Sequence, residues 1–230
     1  MIRIHNVQHL DLWLHQLKIY KNIRDYNIFY SLARYKDGIP FGKLQLAERD
    51  FGNWNDEHWK QMESYDFLLD IDAGNHKEID FAYYSAVKVK KFFDSLEVPY
   101  NLRYSGMGFH FLIPYYYFSD MDMDLSFDPD SDNSVYNLYN SIANKLSRKF
   151  SEMIDTTIYD SRRVSKIPYS LAMYSSGDFI CMPFSNNEEF DKFYFRNYRP
   201  IQLFHKISRN PENLFNINGN LFKLLKELRE

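Results

Sequence analysis

The sequence predicts an α/β domain of the α+β kind, with helices packed over a mainly antiparallel or mixed sheet. Short apolar and aromatic runs end at turn-forming residues, as strands do. Two longer segments, 78–96 and 133–150, carry apolar residues at helical spacing. The 230 residues are 45% hydrophobic, which is enough for the core of one domain with a small appendage at most.

The first 71 residues predict two helices and three strands. An apolar stripe at 10–23 is typical of a helix, and the apolar run at 27–35 ends near a Lys-Asp-Gly turn signal. We therefore expect, in order, a helix at 10–23, a strand at 27–35, a partner strand at 41–47, a short polar helix at 55–64 and a buried strand at 65–71.

The rest of the chain alternates helices with strands. A helix at 78–96 would turn Val89 and Phe93 inward. Strands at 99–104 and 109–116 flank a glycine turn, which predicts a hairpin. We also expect a helix at 133–150, a strand at 179–183 and a final helix at 214–228, and we divide the chain into a main domain, 1–207, and a C-terminal helical appendage, 208–230.

The composition limits the classes of protein that the chain can belong to. Its net charge is −3, so any polyanion must be held by a local basic groove. Its single cysteine argues against a disulfide scaffold, excludes a Cys-based structural zinc site and is typical of a reducing cytoplasm. No apolar run approaches 18 residues, and the N-terminus does not resemble a signal peptide. We expect a cytoplasmic protein with no membrane partner.

Two carboxylates follow the buried strand at 65–71. Asp70 and Asp72 stand two residues apart, so in a strand they project from the same face while Ile71 turns into the core. Adjacent carboxylates repel each other unless a cation lies between them. Oxygen ligands favour Mg²⁺ or Mn²⁺, so this pair predicts a divalent metal site.

Two further segments add groups that can bind phosphate. The turn Ser105-Gly106-Met107-Gly108 allows close backbone approach, and its N–H groups can cradle phosphate oxygens. His110 follows and can donate to phosphate. Asp155 supplies a third carboxylate, and cations and a hydroxyl come after it: Arg162, Arg163, Lys166 and Ser170. Three carboxylates, a glycine turn and downstream cations together suit two-metal phosphoryl transfer.

The order of these motifs resembles the catalytic core of the archaeo-eukaryotic primase superfamily. An apolar run ending in Asp-x-Asp, then Ser-Gly-x-Gly-x-His, then Asp155 with its downstream basic, proline and serine residues covers roughly 26–185. The resemblance implies a primase-polymerase catalytic core, in which an RRM-like mixed or antiparallel sheet carries the metal site beside a smaller N-terminal α/β part.

The resemblance also implies an activity, a template-dependent nucleotidyltransferase that makes or extends primers on single-stranded DNA. Its partners would be the template strand and NTPs or dNTPs, with a helicase or a primase accessory subunit as further candidates, at a cytoplasmic or nucleoid replication site. The implied metal ligands and catalytic residues, for two Mg²⁺ or Mn²⁺ ions, are Asp70, Asp72 and Asp155. The implied nucleotide-binding residues are Ser105, Gly106, Gly108, His110, Arg163, Lys166 and Ser170.

The sequence leaves alternatives open. Many members of the superfamily have a histidine where this chain has Ala172, which leaves room for a DNA-binding subunit without catalysis. An end-joining or repair polymerase of the same superfamily would share the motifs and lack initiation. A glycosyltransferase would explain Asp-x-Asp alone. The tyrosines at 115–117 fit a packed strand or a platform for bases, and the aspartates at 120–132 fit a solvated loop.

Overall fold

The computed structural model describes residues 29–36, 59–121, 123–160, 163–168, 171–174, 177–184, 187–191 and 214–228. The predicted helix at 10–23 and strand at 41–47 lie outside these ranges. Within them the fold is mixed α/β with antiparallel sheets and few helices, as the sequence predicted.

The elements alternate along the chain, and short 3₁₀ turns at Trp59–Gln61 and His76–Glu78 precede a strand and a helix. The strands are β1 (Phe29–Ser31), β2 (Ala33–Tyr35), β3 (Met62–Tyr65), β4 (Phe67–Asp72), β5 (Asn101–Tyr104), β6 (Gly108–Ile113), β7 (Val164–Lys166), β8 (Leu171–Tyr174), β9 (Gly177–Ile180) and β10 (Met182–Pro183). The α-helices are α1 (Ile79–Ser95), α2 (Tyr116–Ser119), α3 (Val135–Phe150), α4 (Asn187–Asp191) and α5 (Phe222–Glu227).

A four-stranded antiparallel sheet in the order β10–β5–β6–β4 is the centre of the fold. The predicted hairpin of β5 and β6 and the predicted buried strand β4 are confirmed, with small shifts of their ends. Because side chains alternate along a strand, this sheet has one apolar face and one face that carries polar residues. On the apolar face, Ile71 lies opposite Phe109, and Phe109 lies opposite Tyr104.

Helix α1 covers the apolar face. The ring of Phe93 on α1 lies 5.5 Å from that of Phe111, and the ring of Tyr83 lies 5.9 Å from that of Phe109. Burying a side chain such as Phe93, which is 0% exposed, stabilises the fold by about 1.5–3 kcal/mol. The helix at 78–96 and the helix at 133–150, here α1 and α3, are confirmed. The opposite face of the sheet therefore carries the candidate site.

Two predicted elements in the N-terminal part are wrong in detail. The strand at 27–35 divides at the buried Leu32, whose amide donates to the Arg163 carbonyl while its carbonyl accepts from the Asp66 amide. As a result β1 pairs with β7 and β2 pairs with β3. A polar helix was predicted at 55–64, but residues 59–64, the described part of this segment, form a 3₁₀ turn followed by the start of β3. Strand pairing and burial of Met62 outweigh the polar composition.

Three later predictions also need correction. The tyrosines at 115–117 do not form a strand, because the chain turns into α2 after Pro114, whose carbonyl accepts from the Tyr117 amide. The strand at 179–183 is two strands, since β9 pairs with β8 and β10 pairs with β5 on either side of the buried Cys181.

The final helix is shorter than predicted and begins at Phe222. Residues 214–221 form turns instead, with Asn216 in the left-handed region at φ 52° and Gly219 packed on the Glu97 carbonyl. The division into 1–207 and 208–230 stays a prediction. In the described ranges no helix is both long and apolar enough to cross a membrane.

Candidate active site

A row of four polar residues crosses one face of the central sheet. Arg103 of β5 lies directly opposite His110 of β6, and His110 lies directly opposite Asp70 of β4. Beyond β4, Ile154 forms an antiparallel bridge with Ile71, and the Asp155 amide donates to the Asp70 carbonyl at 2.9 Å. Asp155 is therefore the cross-strand neighbour of Asp70, and opposite residues of an antiparallel pair share a face.

A second row lies one step along the same face. Asp72, two residues after Asp70, lies opposite Gly108, and the Ser105 amide donates to the Gly108 carbonyl at 2.9 Å. The Asp72 amide donates to the Met153 carbonyl at 3.0 Å, so the segment before Asp155 also lies along this end of β4. The two rows bring the three predicted carboxylates and the glycine turn to one corner of the sheet.

Asp70 is the buried centre of this corner, with its carboxylate held by two basic side chains. One oxygen lies 3.3 Å from His110 Nε2, and the other accepts from Arg163 Nη2 at 2.9 Å. Burial alone would raise the pKa of Asp70, but His110, Arg163 and Lys166 together hold that pKa below its ordinary value. Asp70 is therefore a stable anion at neutral pH.

Strand β7, which pairs with β1, and the preceding Arg163 bring further side chains to the polar residues of the central sheet. Ser165 Oγ lies 3.4 Å from His110 Nδ1, so both ring nitrogens of this histidine have polar neighbours. Lys166 is buried, with Nζ 5.3 Å from the centre of the Phe29 ring. Burial lowers the pKa of Lys166, while Cys181, Asp70 and Asp72 act in the opposite direction.

Arg163 is less enclosed than its partner Asp70, with its side chain 30% exposed and that of Asp70 12% exposed. Its Nε is buried without a hydrogen-bond acceptor among the described residues. The guanidinium therefore has donor capacity that Asp70 does not use.

The glycine turn has the backbone that its sequence requires. Gly106 adopts φ 103°, in the left-handed region that favours glycine, and the Tyr104 hydroxyl donates to its carbonyl at 2.6 Å. A Cβ on Gly108 would lie 1.9 Å from the Ile71 carbonyl oxygen. The absence of a side chain at Gly108 thus lets β6 approach β4 beside Asp72.

The chemistry of the donor set fits a hard divalent cation, since it consists of carboxylate oxygens. Asp72 and Asp155 each use one oxygen in a local turn, accepting from the Gly74 and Thr157 amides at 3.0 and 2.8 Å, and neither accepts a hydrogen bond on its other oxygen from the described residues. Among the described residues, however, no three acidic, histidine or cysteine side chains are close enough to hold one ion. An ion at Asp70 would have to compete with Arg163.

The structure brings together most of the residues that the motifs singled out. They are Asp70, Asp72, Ser105, Gly106, Gly108, His110, Asp155, Arg163 and Lys166. Ser170 and Arg162 lie outside the described residues.

Sequence reasoning missed Arg103 and Ser165. Arg103 is 2% exposed, and its Nη1 donates to the Lys166 carbonyl at 2.9 Å, which ties β5 to β7. Strand alternation could have found Arg103, which stands two residues before Ser105. The contact of Ser165 with His110 depends on long-range pairing and has no local signal.

No protein-family model matches the chain, and a search of curated proteins finds no significant match.

Proposed function

We propose that the chain is a template-dependent nucleotidyltransferase that synthesises or extends primers on single-stranded DNA, using NTPs or dNTPs. The observation that carries this proposal is the row Asp155–Asp70–His110 across one sheet face, with Asp72 and the glycine turn in the next row. We also propose that the central sheet is RRM-like and stands beside a smaller N-terminal α/β part. The protein would act in the cytoplasm or at the nucleoid.

The three carboxylates would hold the metal ions. Asp70, Asp72 and Asp155 offer oxygen ligands to Mg²⁺ or Mn²⁺ at one corner of the sheet. When bound, such ions lower the pKa of an attacking 3′-hydroxyl and neutralise charge on the triphosphate. Asp70, already an anion among basic groups, needs no proton loss to serve as a ligand.

The glycine turn and the basic side chains would bind the triphosphate. Ser105 and the backbone around Gly106 and Gly108 would provide the donors, from a buried turn beside Asp72. His110 lies between Asp70 and Ser165, so its ring is oriented before any nucleotide binds. We assign the β and γ phosphates to these groups.

Arg163 and Lys166 would stabilise negative charge on the leaving pyrophosphate. Arg163 is partly exposed, so its guanidinium can reach a phosphate while it holds Asp70. Lys166 is buried, and its positive charge interacts with Asp70 and Asp72. Ser170 keeps its predicted nucleotide-binding role, and the base would be selected by pairing with the template.

The test is primer synthesis on circular single-stranded DNA, with rNTPs and dNTPs supplied separately and with Mg²⁺ or Mn²⁺. Products from wild type and none from Asp70→Asn would support the proposal. The exposed Asp130→Asn, in the acidic loop, is the control for the same charge change. Extension of an annealed primer without synthesis on the circle would instead identify an end-joining or repair polymerase.

A DNA-binding subunit without catalysis is the second candidate. The observation that favours it is that Asp70 is already satisfied by Arg163 and His110 within the protein. Binding of single-stranded DNA with no incorporation under any nucleotide and metal combination would favour this candidate over the first. In that case a primase accessory subunit or helicase becomes the relevant partner.

A further inference from the structure

The outer surface of α1 carries a stripe of aromatic and basic side chains away from the candidate active site. We name Phe81, Tyr84, Lys88 and Lys91 the α1 stripe. They are spaced by three, four and three residues, so they lie along one face of the helix over about 15 Å. All four are exposed, and Phe81 and Tyr84 are each 63% exposed.

The apolar side of α1 is already used, because Ala82, Val89 and Phe93 are buried against the sheet and the rest of the core. The two aromatic rings of the stripe are therefore additional to what the fold requires. Two large aromatic side chains left in water one helical turn apart offer an apolar surface that a ligand can cover.

The charges of the stripe are available for a ligand. Within the described ranges, neither Lys88 nor Lys91 has a carboxylate within 4.0 Å. The acidic Asp94 nearby is engaged by Lys90 and by the Tyr100 hydroxyl. The stripe is thus a pair of aromatic rings followed by two positive charges.

We propose that the α1 stripe binds single-stranded nucleic acid, with the bases stacking on Phe81 and Tyr84 and the phosphates contacting Lys88 and Lys91. Stacking on aromatic rings beside a cationic track is the general mode of sequence-independent single-strand binding. A protein partner fits less well, since lysine is depleted in protein interfaces. A membrane fits less well because the apolar face of α1 is buried and cannot enter lipid.

The stripe lies on the other side of the sheet from Asp70, because α1 covers the apolar face and the carboxylates project from the opposite one. It would therefore retain the strand and would not position the reacting groups. This inference rests on the proposed function, since the strand we name is its template. Substitutions in the stripe should change template affinity while leaving kcat and the KM for nucleotide unchanged.

The experiment measures binding of a fluorescently labelled oligodeoxythymidine to the full chain by anisotropy, from low to high salt. Lys88→Gln/Lys91→Gln should lower the slope of log K against log salt by about 1.4. The matched control is Lys145→Gln/Arg148→Gln, which changes the same charge at the same spacing on α3 and should leave the slope unchanged.

Phe81→Ala/Tyr84→Ala should weaken binding by roughly five- to 150-fold for each base that stacks, at every salt concentration. Its control, Tyr116→Ala/Phe222→Ala, removes two aromatic side chains that are 50% and 65% exposed elsewhere and should bind as wild type does. Circular dichroism and thermal unfolding check that all four variants fold.

Wild-type affinity and salt slope in both stripe variants would overturn the inference. So would loss of self-association, or of binding to anionic lipid vesicles, in the stripe variants while their DNA binding stays intact. A primer-synthesis assay distinguishes failure of the stripe proposal from failure of the proposed catalytic function. Stripe variants that bind DNA normally while wild type synthesises primers refute only the stripe, and an inactive wild type that binds DNA through the stripe refutes only the catalysis.

Discussion

Gly108→Ala tests how close packing of two strands positions the carboxylates. The added Cβ would lie 1.9 Å from the Ile71 carbonyl oxygen and 3.0 Å from Asp72 Cα, where ordinary contact begins at 3.4 Å. The obstacle is backbone, so no side chain can rotate away. Strands β4 and β6 would have to separate locally by about 1.5 Å, beside Asp72.

The expected cost of this substitution is of two kinds. Overpacking in a well-packed region costs about 1–3 kcal/mol, which for a chain of this size lowers Tm by roughly 2–12 °C. Displacement of a catalytic group by about 1 Å can lower the rate on the order of 100-fold. We therefore expect moderate destabilisation together with a large loss of nucleotide incorporation.

The matched control is Gly219→Ala, whose Cβ would lie 1.7 Å from the Glu97 carbonyl oxygen, at a turn remote from the site. Thermal unfolding should show both variants destabilised. Incorporation measured well below both Tm values should fall only in Gly108→Ala. A folded Gly108→Ala protein with incorporation within about twofold of wild type would refute the reasoning that this contact positions the site.

Three further predictions concern Asp70 and its partners. Asp70→Asn breaks a partly buried ion pair, so urea unfolding should show a lower free energy of unfolding. The expected loss is near the lower end of about 3–5 kcal/mol, because the Arg163 side chain is 30% exposed. An unchanged urea midpoint would mean that the ion pair contributes nothing to stability. The pKa of Asp70 is held below its ordinary value, so the stability it contributes is present above about pH 3.9 and is lost as pH falls through the lowered pKa. The difference in unfolding free energy between wild type and Asp70→Asn should therefore shrink as pH falls below about pH 4, and a difference that grows between pH 4 and pH 2 would contradict the assignment. His110→Ala should raise the KM for nucleotide by roughly 10- to 100-fold with a smaller change in kcat, and steady-state kinetics with an unchanged KM would remove His110 from the phosphate site.

The parts of the fold that were predicted correctly depend on local patterns. An apolar run ending in Asp-x-Asp predicts β4, and the glycine turn between apolar runs predicts the β5–β6 hairpin. The long periodic segments predict α1 and α3 for the same reason. These elements carry their own signal because each buries a regular set of side chains.

The parts that were predicted wrongly depend on long-range pairing. Leu32 divides one apolar run between two sheets because its backbone bonds to Arg163 and Asp66, which are distant in sequence. Residues 214–221 were predicted to be helical, but Asn216 and Gly219 form turns against the 97–100 region, as the three asparagines and one glycine of this segment indicate. The division at Leu32 has no local cause that a sequence pattern could reveal, whereas the asparagines and glycine at 216–220 are a local turn signal that the helix prediction overlooked.

The candidate site also contains residues that local patterns predict and residues that only long-range pairing brings into place. Asp70 and Asp72 follow from strand alternation, and Gly106 and Gly108 follow from the turn. The cross-strand placement of Asp155 beside Asp70, and the contacts of Arg103 and Ser165, come from pairing between segments far apart in the chain. The motif order pointed to Asp155 without showing how the fold would bring it there.

The most direct test of the account is incorporation of a single labelled nucleotide onto an annealed primer–template in the presence of Mn²⁺. Wild type should incorporate the templated nucleotide, as should the exposed control Asp130→Asn. Asp70→Asn, Asp72→Asn and Asp155→Asn, each shown to be folded, should incorporate none above background. Incorporation by all three variants at near wild-type rates would contradict the claim that this corner of the sheet is the catalytic centre.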